Sequence, residues 1–330
     1  MVEERLGSNM RELHSWLQSS WDNWKHQLDN NSFASATLLS SSPGLETFQL
    51  AEQFARSLMC STSNSEPCGF CHGCDLMQSG THPDYHVVKP EKEGKAITVE
   101  QIRQCNRIAQ ESSQLSGYRL FVIEPAEAMN ESAANALLKT LEEPPEKCVF
   151  VLIASKASAL LPTIVSRCQQ VTIPDPQSSV VTQWLQNELG EQVPPYVAHI
   201  NGDAPVQTKA FIQASDLEVY KSIEESLIAA VQGNTEAALK CASKLNESPV
   251  VRLTWLWYLL TDAQKAHFGV VQPNFTPGCH TLSSVLSYVV LEKQSSELAT
   301  LIEKLRHFTG LNSELLIMDW IFKFNEETCL

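Results

Sequence analysis

The sequence predicts an α/β protein: an open parallel sheet with helices on both faces, continued by a C-terminal part made only of helices. Three observations carry this. Arg119–Ile123 and Cys148–Ala154 are short, β-branched-rich apolar runs that do not alternate, the pattern of strands buried on both faces. Between them Ala134, Leu137, Leu138 and Leu141 share one helical face, with Asn130 as N-cap and Pro144 as the stop. Strand, helix, strand is a crossover unit, which joins parallel strands. From Asp216 onward, apolar residues recur at helical spacing, as in Val219, Ile223, Leu227 and Val231.

Composition narrows the class. A chain of 330 residues predicts two or three domains, and 43% hydrophobic with 19% charged residues is a foldable, globular balance. No apolar run is long enough to span a membrane, and Met1-Val-Glu-Glu-Arg-Leu-Gly7 lacks the basic and apolar regions of a secretory signal. A cytoplasmic protein without membrane partners is expected, with Met10 as a candidate alternative to Met1 as translation start. The net charge of −14 repels a phosphate backbone, so a free-standing nucleic-acid binder is disfavoured.

In chain order, Leu13, Trp16, Leu17, Trp21, Trp24 and Leu28 predict an amphipathic, core-packing helix over 11–30. Thr37–Leu39 is a short strand running into Ser40-Ser-Ser-Pro-Gly-Leu-Glu-Thr-Phe-Gln-Leu50. Cys60 closes a helix marked by Leu50, Phe54 and Leu58, and Cys68, Cys71 and Cys74 follow in a loop, a C-x7-C-x2-C-x2-C spacing. Four thiols this close in a cytosolic chain predict a tetrahedral structural zinc site rather than disulfides. An iron–sulfur cluster is the other metal reading, and the missing C-x3-C-P ending argues against it. His72 reads as a solvated loop residue. Tyr85–Val88 is a further strand, and Thr98-Val-Glu-Gln101 is a capping box opening a helix through Ala109. Pro174-Asp-Pro176 is a stiff break and marks a domain boundary. Residues 177–214 then hold three short helical patterns, and Arg252–Leu260 is dense enough for a buried bundle helix.

Asn135-Ala-Leu-Leu-Lys-Thr-Leu-Glu-Glu-Pro-Pro145, followed by Ser166-Arg167-Cys168, resembles the clamp-loader branch of the AAA+ ATPases, and the resemblance covers nearly the whole chain. It implies a RecA-like AAA+ domain at 1–174 with an inserted zinc module at 60–74, a small helical lid at 175–214 and an all-α collar at 215–330. In that family the turn after the first strand is a phosphate-binding loop, needing glycines for backbone approach, a lysine for charge and a hydroxyl for magnesium. Here Gly44 stands, but Glu46, Thr47 and Phe48 occupy the Gly, Lys and Thr positions. Glu124-Pro125 puts proline where the water-polarising carboxylate belongs, and Glu127, off the motif, reads with Glu124 as a solvated pair at a helix entry. No ATP is expected to bind.

The resemblance implies that Arg167 enters a neighbour's ATP site as an arginine finger, while Cys168 packs in the core. In active members a sensing arginine follows in the lid, where this chain has Asp203-Ala-Pro205. The function implied is a non-catalytic subunit of an ATP-driven sliding-clamp loader, itself ATPase-inactive but part of a DNA polymerase holoenzyme. Its implied partners are the loader's ATPase subunits and delta subunit, with the sliding clamp and primer-template DNA reached through the complex. An active AAA+ ATPase would require the absent lysine. A zinc-containing nucleic-acid binder would want basic and aromatic residues near the metal; between Cys68 and Cys74 there is Phe70 but no lysine or arginine.

Overall fold

The computed structural model describes residues 13–62, 65–92, 94–115, 117–190, 192–308 and 310–328, so the candidate start at Met10 lies outside the described residues. Two compact units divide the chain, residues 1–175 and 176–330.

The first unit is built on a five-stranded, all-parallel sheet. Its strands are β1 (Ala36–Ser40), β2 (Tyr85–Val88), β3 (Arg119–Ile123), β4 (Cys148–Ala154) and β5 (Gln169–Thr172), in the order β2-β3-β4-β1-β5. Phe121 lies opposite Phe150, and Leu38 opposite Leu152. Every residue of β1, β3 and β4 is buried, as their unalternating apolar sequences require. Leu38, Phe121, Ile123, Phe150 and Leu152 pack with α4 (Val99–Gln110) and α5 (Glu131–Glu142) through Ile102, Cys105, Ala133 and Leu137. The alternate residues Leu39, Leu120, Val122 and Val151 point to the other face and are buried too. Helices α1 (Gln18–Asp29) and α2 (Phe48–Leu58) meet where Trp24 sets its edge on Phe54, ring centroids 4.8 Å apart.

Local signals account for the helix ends. Asn130 accepts from the Ala133 amide at 2.8 Å, and Thr98 and Gln101 form the reciprocal capping box. The expected N-terminal helix begins within the described residues as a 3₁₀ turn, Ser15–Leu17, before α1. Among the described α-helices and strands of the first unit, three lacked a sequence signal. The short α3 (His72–Gln78) lies within the cysteine segment, α6 (Pro162–Val165) precedes Ser166, and β5 has the polar sequence Gln-Gln-Val-Thr of an edge strand.

The second unit contains α7 (Ser178–Leu189), α8 (Pro195–Ile200), α9 (Pro205–Gln213), α10 (Asp216–Val231), α11 (Thr235–Glu247), α12 (Pro249–His267), α13 (Cys279–Val285), α14 (Tyr288–His307) and α15 (Ser313–Thr328). One apolar cluster runs from Val181 to Phe324, so the three short helices share a core with those that follow. Asp262 on α12 is fully buried; its carboxylate lies 3.0 Å from His199 Nε2 on α8 and accepts from the Thr276 amide at 3.0 Å. Among the described residues, no helix is long and apolar enough to cross a membrane.

Arg119 had been legible only as the first residue of a strand. It is buried, and its guanidinium donates to the carbonyls of Ile108 (3.1 Å) and Ala109 (2.8 Å) at the end of α4 and of Glu146 (3.3 Å) before β4. It thus serves carbonyls that a helix terminus leaves without intrahelical donors. Replacing it removes all three bonds at once. Arg119→Met is expected to lower stability by about 2–3 kcal/mol, measured by urea unfolding; a loss under about 0.5 kcal/mol, the range of an ordinary surface change, would contradict this role.

Candidate functional site

Because every strand pair is parallel, one edge of the sheet collects all the strand C-termini and the opposite edge all the N-termini. The turn from β1 to α2 lies at the C-terminal edge, where the Ser41 amide donates to Ala154 O at 3.2 Å. Gly44 (φ 85°) and Glu46 (φ 50°) take left-handed backbone, natural for glycine and costly for a glutamate. The chain's own groups fill this turn. The Trp16 indole donates to Leu45 O at 2.9 Å, and Leu45 is buried. His14 stacks on Trp16 with centroids 4.3 Å apart and brings Nε2 to 3.1 Å from a Glu46 carboxylate oxygen. The Gln49 amide also donates to Glu46, and the buried Thr47 hydroxyl bonds with that of Ser41.

The neighbouring strand ends are engaged as well. Lys89, just past β2, pairs with Glu124 at 2.8 Å and lies 4.1 Å from the centroid of the Phe48 ring. Glu124 and Glu127 are therefore not a solvated pair. Glu127 Oε1 accepts from the Ser155 amide at 2.9 Å, tying the 3₁₀ turn Ala126–Ala128 to the end of β4, and its other oxygen is buried without a hydrogen-bond partner.

The cysteines converge between two helix ends. Cys60 follows the end of α2, Cys68 lies in the loop, Cys71 is the N-cap residue of α3 and Cys74 sits in its first turn. Their sulfurs all lie within 4.8 Å of one another, with Cys60–Cys71 and Cys68–Cys74 each at 3.9 Å. Tetrahedral ligation with metal–sulfur bonds of about 2.3 Å requires sulfur–sulfur separations of about 3.8 Å, so this set could hold a metal ion. The Cys68 amide points at the Cys60 sulfur at 3.4 Å, an outer bond of the kind that orients thiolate ligands. Hydrogen bonding from Ser61 pulls the Cys71 thiol down to about 5, while burial pushes Cys74 up to about 12. His72 is exposed as the first residue of α3 and is not one of the grouped ligands. Gly73 packs against the chain at Met59: a Cβ there would fall on the Met59 carbonyl oxygen. Its missing side chain is what lets α3 bring Cys74 to Cys60.

Arg167 occupies the other edge. It lies between α6 and β5, two residues before the start of that strand, and five-residue β1 alone spans roughly 15 Å between the two edges. Its Nη1 donates to Thr163 O at 2.7 Å, its Nη2 pairs with Glu142 at the end of α5, and its Nε is buried without a hydrogen-bond partner. Cys168 beside it is buried, which raises its thiol to about 11 and leaves it a packing group.

The strand order and the helical second unit define an AAA+ fold. The family described as "DNA polymerase III, delta subunit" matches residues 16–177, and "DNA polymerase III, delta subunit, C terminal" matches residues 215–326. The DNA polymerase III subunit delta' of Escherichia coli (strain K12) is 30% identical over 316 residues, covering 94% of each chain. That of Pseudomonas aeruginosa is 40% identical over 184 residues, covering 56% of this chain and 55% of the relative. Among solved structures, a DNA polymerase III gamma subunit-related protein from Thermotoga maritima aligns at 20% identity with a TM-score of 0.44, over 93% of this chain and 99% of the other. The chain belongs to the family of DNA polymerase III delta' subunits.

The cysteine geometry generates a test that leaves every sulfur in place. If the four sulfurs hold a metal, Gly73→Ala is expected to abolish binding as fully as Cys71→Ser does, read as metal per chain after purification. Binding must also remove the proton from Cys74, so affinity falls as pH falls. Acidifying from about pH 7.5 to about pH 5 should release metal; retention unchanged across that range would contradict ligation by these thiols.

Proposed function

We propose that this chain is a non-catalytic clamp-loader subunit in DNA replication, which gives Arg167 to the ATP site of a neighbouring subunit and neither binds nor hydrolyses ATP itself. The observation that carries the reading is the division between sheet edges. The turn that would cradle phosphates is closed at one edge by Trp16, Glu46 and Gln49, while the guanidinium sits roughly a sheet-height away at the other. Arg167 is therefore badly placed to serve its own β1–α2 turn and well placed to serve a different chain. Membership in the delta' family supports the same division of labour.

In this reading the neighbour supplies the phosphate cradle, the magnesium and the attacking water. Arg167 supplies a planar, permanently charged fork that binds γ-phosphate oxygens and stabilises the charge spread over them during transfer. Zinc is the metal we assign to Cys60, Cys68, Cys71 and Cys74: a fully thiolate site leaves no open position, so its contribution is to fold the α2–α3 segment. We assign residues 1–174 to the AAA+ domain, 175–214 to a lid and 215–330 to a collar that joins the ring. The partners are then the loader's ATPase subunits and delta subunit, with the clamp and primer-template DNA engaged through the assembly in the cytoplasm.

The test is Arg167→Ala in a reconstituted loader. Loss of an exposed ion pair costs the chain only about 0.2–1 kcal/mol, so it should fold and assemble. Turnover at the one site it faces should fall by about 10³-fold or more, diluted in the whole ring by sites with their own arginines. Arg167→Lys should restore little, since an ammonium lacks the fork. Normal turnover and clamp loading with a lowered melting temperature would show that Arg167 only braces its own chain.

A further inference from the structure

Arg167 already has a carboxylate partner in its own chain. Glu142 is the last residue of α5, where the helix presents its unsatisfied carbonyls and a further negative charge is unfavourable unless a cation offsets it. The guanidinium answers that need: Nη2 takes the Glu142 carboxylate, and Nη1 takes Thr163 O, from the turn just before. The pair is half-exposed, with 31% of the arginine side chain and 48% of the glutamate side chain accessible, so it can be opened without unfolding anything. A carboxylate and a phosphate compete for the same planar donor edge. While Arg167 is paired with Glu142 its charge is cancelled, and a guanidinium so neutralised stabilises transition-state charge poorly.

We propose that Glu142 is a positioning residue that holds Arg167 withdrawn against its own chain until a neighbour's triphosphate competes for the guanidinium, and that takes it back when the phosphate leaves. The inference rests on the arginine-finger reading above. Glu142 touches neither nucleotide nor water; it acts by setting how readily Arg167 leaves. The guanidinium is one rigid plane, so release from Glu142 turns it as a unit, and the Nη1 bond to Thr163 O must open or re-form along with it.

The measurement is the ATP dependence of DNA-stimulated turnover by loaders reconstituted with wild-type chain, Glu142→Gln, Arg167→Ala or both substitutions. Removing a competing carboxylate of exposed-pair strength should lower KM by up to about fivefold, with kcat equal or higher and the melting temperature of the chain little changed. Glu142→Asp keeps the charge and should stay near wild type. The double variant should match Arg167→Ala alone, because without the guanidinium there is nothing to release. If Arg167→Ala cuts turnover but Glu142→Gln leaves KM unchanged or raises it, the finger stands and the withdrawal by Glu142 is wrong. A KM shift that survives in the double variant would also overturn it, by showing that Glu142 acts without Arg167. If Arg167→Ala leaves turnover untouched, the finger fails and this inference falls with it.

Discussion

The all-parallel ladder is the constraint from which the rest of the first unit follows. Parallel pairing obliges each connection to climb back across a face of the sheet, so it fixes which loops can ever be neighbours. The β1–α2 turn, Lys89 after β2, Glu124 after β3 and Ser155 after β4 gather at one edge for this reason alone. Arg119 at the start of β3, Glu142 at the end of α5 and Arg167 ahead of β5 are sent to the other. A subunit built this way presents a nucleotide-type turn on one side and an arginine on the opposite side. This placement is what the proposed role of Arg167 in a neighbouring subunit's site would require.

At the C-terminal edge, the lost cradle is more than a missing lysine. Glu46 puts a carboxylate in the β1–α2 turn, and His14, Gln49 and the left-handed backbone hold it there. Trp16 claims the Leu45 carbonyl and covers the turn with a buried ring. Lys89, the cation close to Phe48, is held by Glu124. These groups support one another, tying the turn at Leu45 and Glu46 to His14, Trp16 and Gln49.

Much of this was written in the sequence where a local rule applied. The unalternating runs of β3 and β4, the Asn130 cap and the Thr98 capping box each rest on neighbouring residues, and such signals survive without a fold. The four cysteines were legible from spacing, whereas α3 was not, because Gly73 reads as a loop residue until its approach to Met59 is seen. β5 was missed since a polar edge strand carries no burial pattern. The partners of Arg119 and Glu127, and the carboxylate partner of Arg167, lie 10 to 28 residues away along the chain, and only the crossovers bring them close. Glu127 was misread for this reason: its amide partner belongs to the loop after β4.

If the chain's own nucleotide site is closed, as proposed, its part in ATP chemistry is played through another subunit. The most direct measurement is equilibrium binding of a fluorescent ATP analogue to the purified chain, with magnesium present. The account predicts no saturable binding through the micromolar range, for wild type and Arg167→Ala alike. Saturable, magnesium-dependent binding in that range would contradict it.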